Sequence, residues 1–432
     1  MSRNTRLAAA GLAAMTWAGV SSGQTNERIF ERLDFRFVTP GARAVGMGKT
    51  FVGLADDATA AYSNPAGLSN LLVKEFSFEM QGTGIRHERL VSLQPGSPIE
   101  TRRFGEQVWG PSFLSFAWPF DRWTASFFLN TVQNYREQFA FQGRPVPGLE
   151  GAEDGAFGTI SVQNQEYGLG LSYVVNRFVS VGASGVVSSL SLASEGRSGT
   201  PQNPRNGSNV IDSGTAFTGM GGILVKPARG VAVGASYYAG SRFGLETTLF
   251  GRFVYGAAPP LDPNFVRTGT VLPISYVVPP RLGVGASWRV QDALTFVLDA
   301  DRILYSKQVS DDFLIVDFQA EAYHITPKDF YVRDVWELHA GAEYRVYRPS
   351  LTLAFRGGVF TDPDHSLRFR GSASDTIATR FLAFRFNSVP DQTDVGATFG
   401  LGAMFANRFQ VDAAASLAKD ARELVVSFVV RP

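Results

Sequence analysis

Residues 282–300 read LGVGASWRVQDALTFVLDA. Leu282, Val284, Ala286, Trp288 and Val290 occupy every second position, with Gly283, Gly285, Ser287 and Arg289 between them. Gln291 and Asp292 interrupt the pattern. It then resumes with Leu294, Phe296, Leu298 and Ala300 on one face, opposite Thr295 and Asp299. A period of two residues belongs to extended chain, because successive side chains of a strand point to opposite faces. Two such runs across a two-residue break predict a hairpin.

The same unit recurs. Ala397, Phe399, Leu401, Ala403 and Phe405 alternate up to a turn at Asn407–Arg408, and Phe409, Val411, Ala413, Ala415 and Leu417 alternate after it, opposite Gln410 and Asp412. A third hairpin runs through Leu169, Leu171 and Tyr173, turns at Asn176–Arg177 and returns through Val179, Val181 and Ala183. Further short turns are expected at Lys226–Gly230 and Tyr347–Ser350. Leu424, Val426, Phe428 and Val430 mark a closing strand.

Long polar or Gly/Pro-rich stretches separate the hairpins: 143–158, 196–214, 251–280, 307–334 and 362–379. A sandwich or propeller has no reason to alternate short turns with long loops, and no blade repeat is visible. An outer-membrane barrel does so, with short periplasmic turns and long external loops. After Val20 no apolar run approaches the roughly 18 residues of a spanning helix, so strands are the remaining way to cross a bilayer. The expected fold is all-β: a transmembrane antiparallel β-barrel.

The N-terminus carries Arg3 and Arg6, an apolar run from Leu7 to Val20, then Ser21, Ser22 and Gly23. That layout predicts a secretory signal peptide over 1–23, with the mature chain beginning near Gln24. None of the 432 residues is Cys, which removes disulfides, thiolate metal sites and a lipoprotein anchor. Without Arg3 and Arg6 the chain has 38 basic against 39 acidic residues, a balance that indicates no nucleic-acid partner.

One stretch stands apart, TPGARAVGMGKTFVGLADDATAAYSNPAGLSNLL at 39–72. It is rich in Gly and Ala and predicts short helices, the first capped by Asp56 and Asp57, the second opening at Pro65 after Asn64. The pair Asp56–Asp57 could be half of a calcium site, but no further oxygen ligands follow at regular spacing. Ala42-Arg43-Ala44, Gly46-Met47-Gly48, Ala55-Asp56-Asp57-Ala58 and Asn64-Pro65-Ala66-Gly67-Leu68 closely resemble the N-terminal hatch of the FadL-type fatty-acid transporters of the outer membrane, a family that includes aromatic-hydrocarbon channels. Residues 280–306 and 336–360 look like the family's later hairpins.

The resemblance implies about 14 strands, with residues 24–72 as a helical hatch in the lumen and 73–432 as the barrel. The length agrees, since 432 residues less the first 70 leave roughly 26 per strand with its share of loops. It implies passive uptake of hydrophobic small molecules, long-chain fatty acids or aromatic hydrocarbons, through a gate at Asn64, Pro65 and Ala66. It also implies an inward kink in the third strand. The matching stretch is 123–139, with Asn134, Tyr135 and Arg136 at the kink, where the family favours glycine. Asn134 and Tyr135 equally suit a loop or an aromatic girdle. Phe250, Phe253, Tyr255 and Phe265 are the candidate capture loop or, equally, its internal packing. Expected partners are a hydrophobic ligand, outer-membrane lipid and lipopolysaccharide, and the barrel assembly machinery. A barrel of the same type serving as a docking subunit for secretion or surface attachment is the alternative.

Catalytic chemistry finds no carrier. His87, His324, His339 and His365 are scattered without neighbouring ligands, and no local nucleophile–base motif appears. No enzyme activity, cofactor or metal is expected.

Overall fold

The computed structural model describes residues 39–85, 87–92, 99–104, 107–141, 156–200, 203–250, 253–255, 265–266, 271–309, 315–317, 322–324, 329–370, 386–387, 391–419 and 421–432. The signal-peptide expectation falls on residues outside these.

Fourteen antiparallel strands form one closed ring. In chain order they are β1 (Glu75–Ile85), β2 (Gln107–Phe120), β3 (Trp123–Phe141), β4 (Ala156–Val174), β5 (Val179–Thr200) and β6 (Asn203–Ala228). Strand β7 has two pieces, Val231–Tyr238 and Ser241–Phe250, as does β8, Val271–Val278 and Arg281–Gln291. The ring continues through β9 (Leu294–Ile303), β10 (Val335–Tyr347), β11 (Leu351–Asp362), β12 (Asp394–Phe405), β13 (Phe409–Leu417) and β14 (Ala421–Val430). It closes where β1 pairs with β14, Phe78 opposite Phe428.

The alternation sorts the two faces. Leu282, Val284, Trp288, Phe399 and Leu401 are exposed on the outer wall, whereas Asp299 and Asp412 are buried inside and Gln410 bonds to Asp412. Outer faces end in aromatic rings near the short turns, with Trp123 and Tyr173 4.5 Å apart. Such girdles sit where lipid meets water. The turn at Ala406–Asn407 places both residues at positive φ, the geometry of a two-residue hairpin whose twist matches its strands.

One expected loop is not a loop. Residues 196–214 continue β5 and β6 to a tip between Thr200 and Asn203. Ser189, Ser191, Ser213 and Thr215 put small polar residues on the outer face where the two strands enter this stretch, so the period-two apolar signal lapses there while the pairing continues. Strand β1 carries no reading in the sequence for a related reason. Its inward positions are Glu75, Ser77, Glu79 and Gln81, all buried by the segment inside the ring.

Candidate hatch and gate

Residues 39–72 lie within the ring and are almost entirely buried, in three short helical pieces: α1 (Ala42–Gly46), α2 (Ala60–Ser63) and a 3-10 turn, Pro65–Asn70. Each side of this segment meets the wall by a different chemistry.

Its first part is held by charge and by backbone contact. Glu343 of β10 is fully buried and receives Arg43 at 3.0 Å, Arg356 of β11 at 2.8 Å and Arg345 at 2.6 Å. Arg356 also reaches Asp412 of β13 at 2.7 Å. Lys49 pairs with Glu423 of β14 at 2.7 Å. Phe51 and Val52 donate backbone N–H bonds to Asp299 of β9, Gly41 donates to Glu79, and Ala58 donates to Glu75, which Arg431 also holds. Gly48, at φ 77°, donates to Thr398, and a Cβ on Gly341 or Gly358 would collide with the Met47–Gly48 backbone. The small residues here let backbone seat against backbone.

The second part is held lightly. Asn64 is fully buried; its Nδ2 donates to the carbonyls of Val52 (2.9 Å) and Ile223 of β6 (3.2 Å), and its Oδ1 accepts from Ala66 N–H. Pro65 and Ala66 rest on Gly182, and Asn64 rests on Gly222 and Gly234, positions where a side chain would collide with them. Ser184 donates to the Ala61 carbonyl at 3.1 Å, and Tyr62 meets Phe128 edge to face. Among the described residues, no ion pair joins 59–72 to the wall.

Asp57 stands at the start of the helix as expected, and Asp56 does not. Asp57 accepts from the N–H and hydroxyl of Thr59, fixing the approach to α2, while Asp56 pairs with Arg43 and lies 3.7 Å from Arg289. Burial raises the Asp57 carboxyl above its ordinary range, and Arg43 opposes that shift. Arg43, Glu343 and Arg356 received no role from sequence. The signal for Glu343 and Arg356 was a charge at an inward strand position, as in AGAEYRVY and LAFRGG, whereas Arg43 stood only within the hatch motif.

Above the hatch, on the long-loop side, an apolar cluster gathers in the lumen beside the buried Asn130, Glu137, Asn164 and Glu166. The upper halves of β7 and β8 pair with each other from Ser241–Val278 to Thr248–Val271 and fold inward. Phe243, Leu245, Ile274 and Tyr276 join Phe128 and Val132 in one buried cluster with Tyr62 and Leu68 of the hatch. Tyr276 donates to Gln133 of β3 across the lumen at 2.6 Å.

Two ladders are interrupted beside this layer. Strand β2 pairs with β3 only from Phe120–Trp123 to Phe113–Asn130. Beyond that point Pro111 has no N–H to offer, Thr131 Oγ1 donates to the Pro111 carbonyl, and Val132 bulges inward, fully buried. Asn134, Tyr135 and Arg136 follow the bulge and pair with β4; Tyr135 turns inward to Glu137 and Arg136 outward. The register break therefore lies just before the expected kink residues. The second interruption lies between β6 and β7. Their pairing stops at Met220–Tyr238 and resumes only at Asn209–Thr248, and Phe243 tucks inside Gly214. Asn64 thus bonds to β6 three residues from this second break and not to the third strand.

The expected capture loop is described only in its backbone: 253–255 pairs with 265–266 and runs parallel to 322–324. The Phe250, Phe253, Tyr255 and Phe265 side chains lie outside the described residues.

A closed antiparallel ring with an apolar outer band and a plug in its lumen defines an outer-membrane transport barrel. The family model described as "Outer membrane protein transport protein (OMPP1/FadL/TodX)" matches residues 37–423, and the chain belongs to that family. The family is one of transport channels, and its members reside in the bacterial outer membrane. Solved structures with the same fold include a Pseudomonas aeruginosa FadL homologue (16% identity, 91% of this chain and 98% of that one, TM-score 0.65). The Ralstonia pickettii toluene transporter TbuX is 17% identical over 92% of this chain and 99% of its own, with a TM-score of 0.60. The Pseudomonas putida toluene transporter TodX is 16% identical over 92% and 98%, with a TM-score of 0.56. No curated protein matches the chain in sequence.

Proposed function

We propose that this barrel admits hydrophobic small molecules, long-chain fatty acids or aromatic hydrocarbons, by passive diffusion, with Asn64, Pro65 and Ala66 as the moving face of the gate. The observation that carries the reading is the apolar layer enclosed between the inward β7–β8 hairpin and the hatch. A solute burying about 200 Å² of apolar surface there gains roughly 5 kcal/mol at 25 cal/mol per Å². The net worth of each Asn64 hydrogen bond is about 1 kcal/mol. Breaking a buried ion pair costs about 3–5 kcal/mol, and the first part of the hatch has several. Solute binding is thus strong enough to lift the lightly held part while the charged part stays seated.

Phe250, Phe253, Tyr255 and Phe265 are the proposed capture surface, and the break after Asn130 is the proposed lateral way into lipid. The outer band meets membrane lipid, the long hairpins meet lipopolysaccharide, and the assembly machinery inserts the barrel. A docking subunit for secretion has no use for a buried apolar layer between two interrupted ladders, which favours transport. Cells lacking the protein should take up labelled fatty acid or toluene more slowly, with sugars and amino acids unaffected. Equal hydrophobic uptake would favour the docking role.

A further inference from the structure

The lightly held part of the hatch carries one aromatic side chain, Tyr62 of α2, and it is buried. Its ring meets Phe128 edge to face at 6.0 Å and Tyr238 at 6.3 Å, and the Arg281 guanidinium lies 5.9 Å from the ring centroid. Phe128 is itself seated on Gly168, where a Cβ would collide with the phenyl ring. The Tyr62 hydroxyl lies among Asn130, Glu166 and Arg281, yet it completes no hydrogen bond.

The polar groups of the wall beside it are short of partners as well. Asn130 of β3 and Glu166 of β4 stand directly opposite each other and are fully buried. Neither amide atom of Asn130 completes a hydrogen bond, nor does Oε2 of Glu166. Their neighbours are fixed: Tyr238 donates to Glu166 Oε1 and lies 3.1 Å from Ser241 Oγ, and Ser188 donates to Asn164 at 3.0 Å. A buried donor or acceptor without a partner is costly, and here three of them border a hydroxyl that does not satisfy them. Tyr62 cannot slide to meet them, because its backbone is held at the Ala61 carbonyl by Ser184.

We infer that this pocket is a binding site for a hydroxylated monoaromatic solute, a phenol, and that Tyr62 fills it in the closed barrel as a tethered stand-in. The inference rests on the channel reading and adds a head-group preference to it. Tyr62 shows that a phenol ring fits between Phe128 and Tyr238. A free phenol, unlike the tethered one, can move until its O–H donates to Glu166 Oε2 and its oxygen accepts from Asn130 Nδ2. A hydrocarbon of the same size leaves both groups unsatisfied. Displacing the ring moves residues 59–71, the part proposed to yield. Asn130 is also the last rung of the β2–β3 ladder, so the bound phenol lies at the proposed way into lipid.

The full-length barrel in detergent, titrated with 4-fluorophenol or fluorobenzene, reports binding through the fluorine resonance of the solute, with empty micelles as the blank for partition. The wild-type barrel should bind 4-fluorophenol saturably and in preference to fluorobenzene. Tyr62→Leu should lower the 4-fluorophenol midpoint at least tenfold, because the competing ring is gone. Removing a ring also opens space that any small aromatic can enter, so the deciding quantity is the ratio of the two midpoints. In Tyr62→Leu it should favour 4-fluorophenol at least tenfold, and it should fall to near one when Asn130→Leu is added. Glu166→Gln, which keeps the shape of the wall, should lower it as well. A ratio near one in both the wild type and Tyr62→Leu, or a ratio unmoved by both wall substitutions while heat-resistant migration on gels persists, would overturn the site. Uptake of labelled toluene by cells separates this site from the channel reading. Toluene flux with no preference for 4-fluorophenol removes the site and spares the channel, whereas the preference without any flux keeps the site and removes its place in transport.

Discussion

The two parts of the hatch occupy one lumen and are held by opposite means. Residues 41–58 meet β1 and β8–β14 through buried ion pairs, carboxylates that accept backbone N–H groups, and glycines on both sides of the contact. Residues 59–71 meet β3–β7 through packing on glycine, one buried asparagine and aromatic edges. A buried pair is strongly destabilised when one partner leaves, whereas packing contacts between small residues part gradually. On the proposed gating, a plug built this way would yield first on the side of residues 59–71. That side faces both the apolar cluster and the second ladder break.

The largest effect should come from removing the charge at the centre of the 41–58 contacts. Glu343→Ala leaves three guanidinium groups facing one another and should cost about 3–5 kcal/mol. The hatch should become open to trypsin, at Arg43 and Lys49, while the strand ladders keep heat-resistant migration. Unchanged proteolysis would show that charge does not hold this side.

Next in size is a pair of matched substitutions. Gly358→Ala drives a Cβ into Gly48, and Gly182→Ala drives one into Pro65. Where the hatch cannot yield, overpacking should cost about 1–3 kcal/mol in barrel stability. Where it can yield, the strain should lift the gate, so Gly182→Ala should raise hydrophobic flux with a smaller loss of melting temperature. Equal losses of stability at the two glycines would erase the distinction.

The smallest effect is Asn64→Ala, which removes the hydrogen bonds to Val52 and Ile223 at about 1 kcal/mol each. Migration should persist and flux should change. A failure to fold would make residues 59–71 a folding element, and unchanged flux would remove Asn64 from the gate.

The same contrast explains what was legible in the sequence. Alternation fixed the strands wherever one face met lipid, as at 282–300 and 397–417. It failed where neither face did. Strand β1 buries glutamates against the hatch, and the upper part of β8 is buried on both faces from Ile274 to Val278. The motif Asn64-Pro65-Ala66 pointed to the hatch, but Asn64's partner, a backbone carbonyl at Ile223, leaves no mark in any side-chain pattern. The salt-bridge network spans about 300 positions from Arg43 to Glu343, and only the closure of the ring brings its members together.

Cross-linking the two sides in turn tests the central claim most directly, since the chain has no Cys of its own. One pair, Ala61→Cys with Ser184→Cys, would tie down residues 59–71 where Ser184 now bonds to Ala61, and Lys49→Cys with Glu423→Cys would tie down the charged side. A short thiol-specific cross-linker should stop uptake of labelled hydrophobic solute in the first variant and leave it largely intact in the second, with a cleavable linker restoring flux on reduction. Equal inhibition by both links would contradict a gate that opens on one side, as would free uptake with the first link in place.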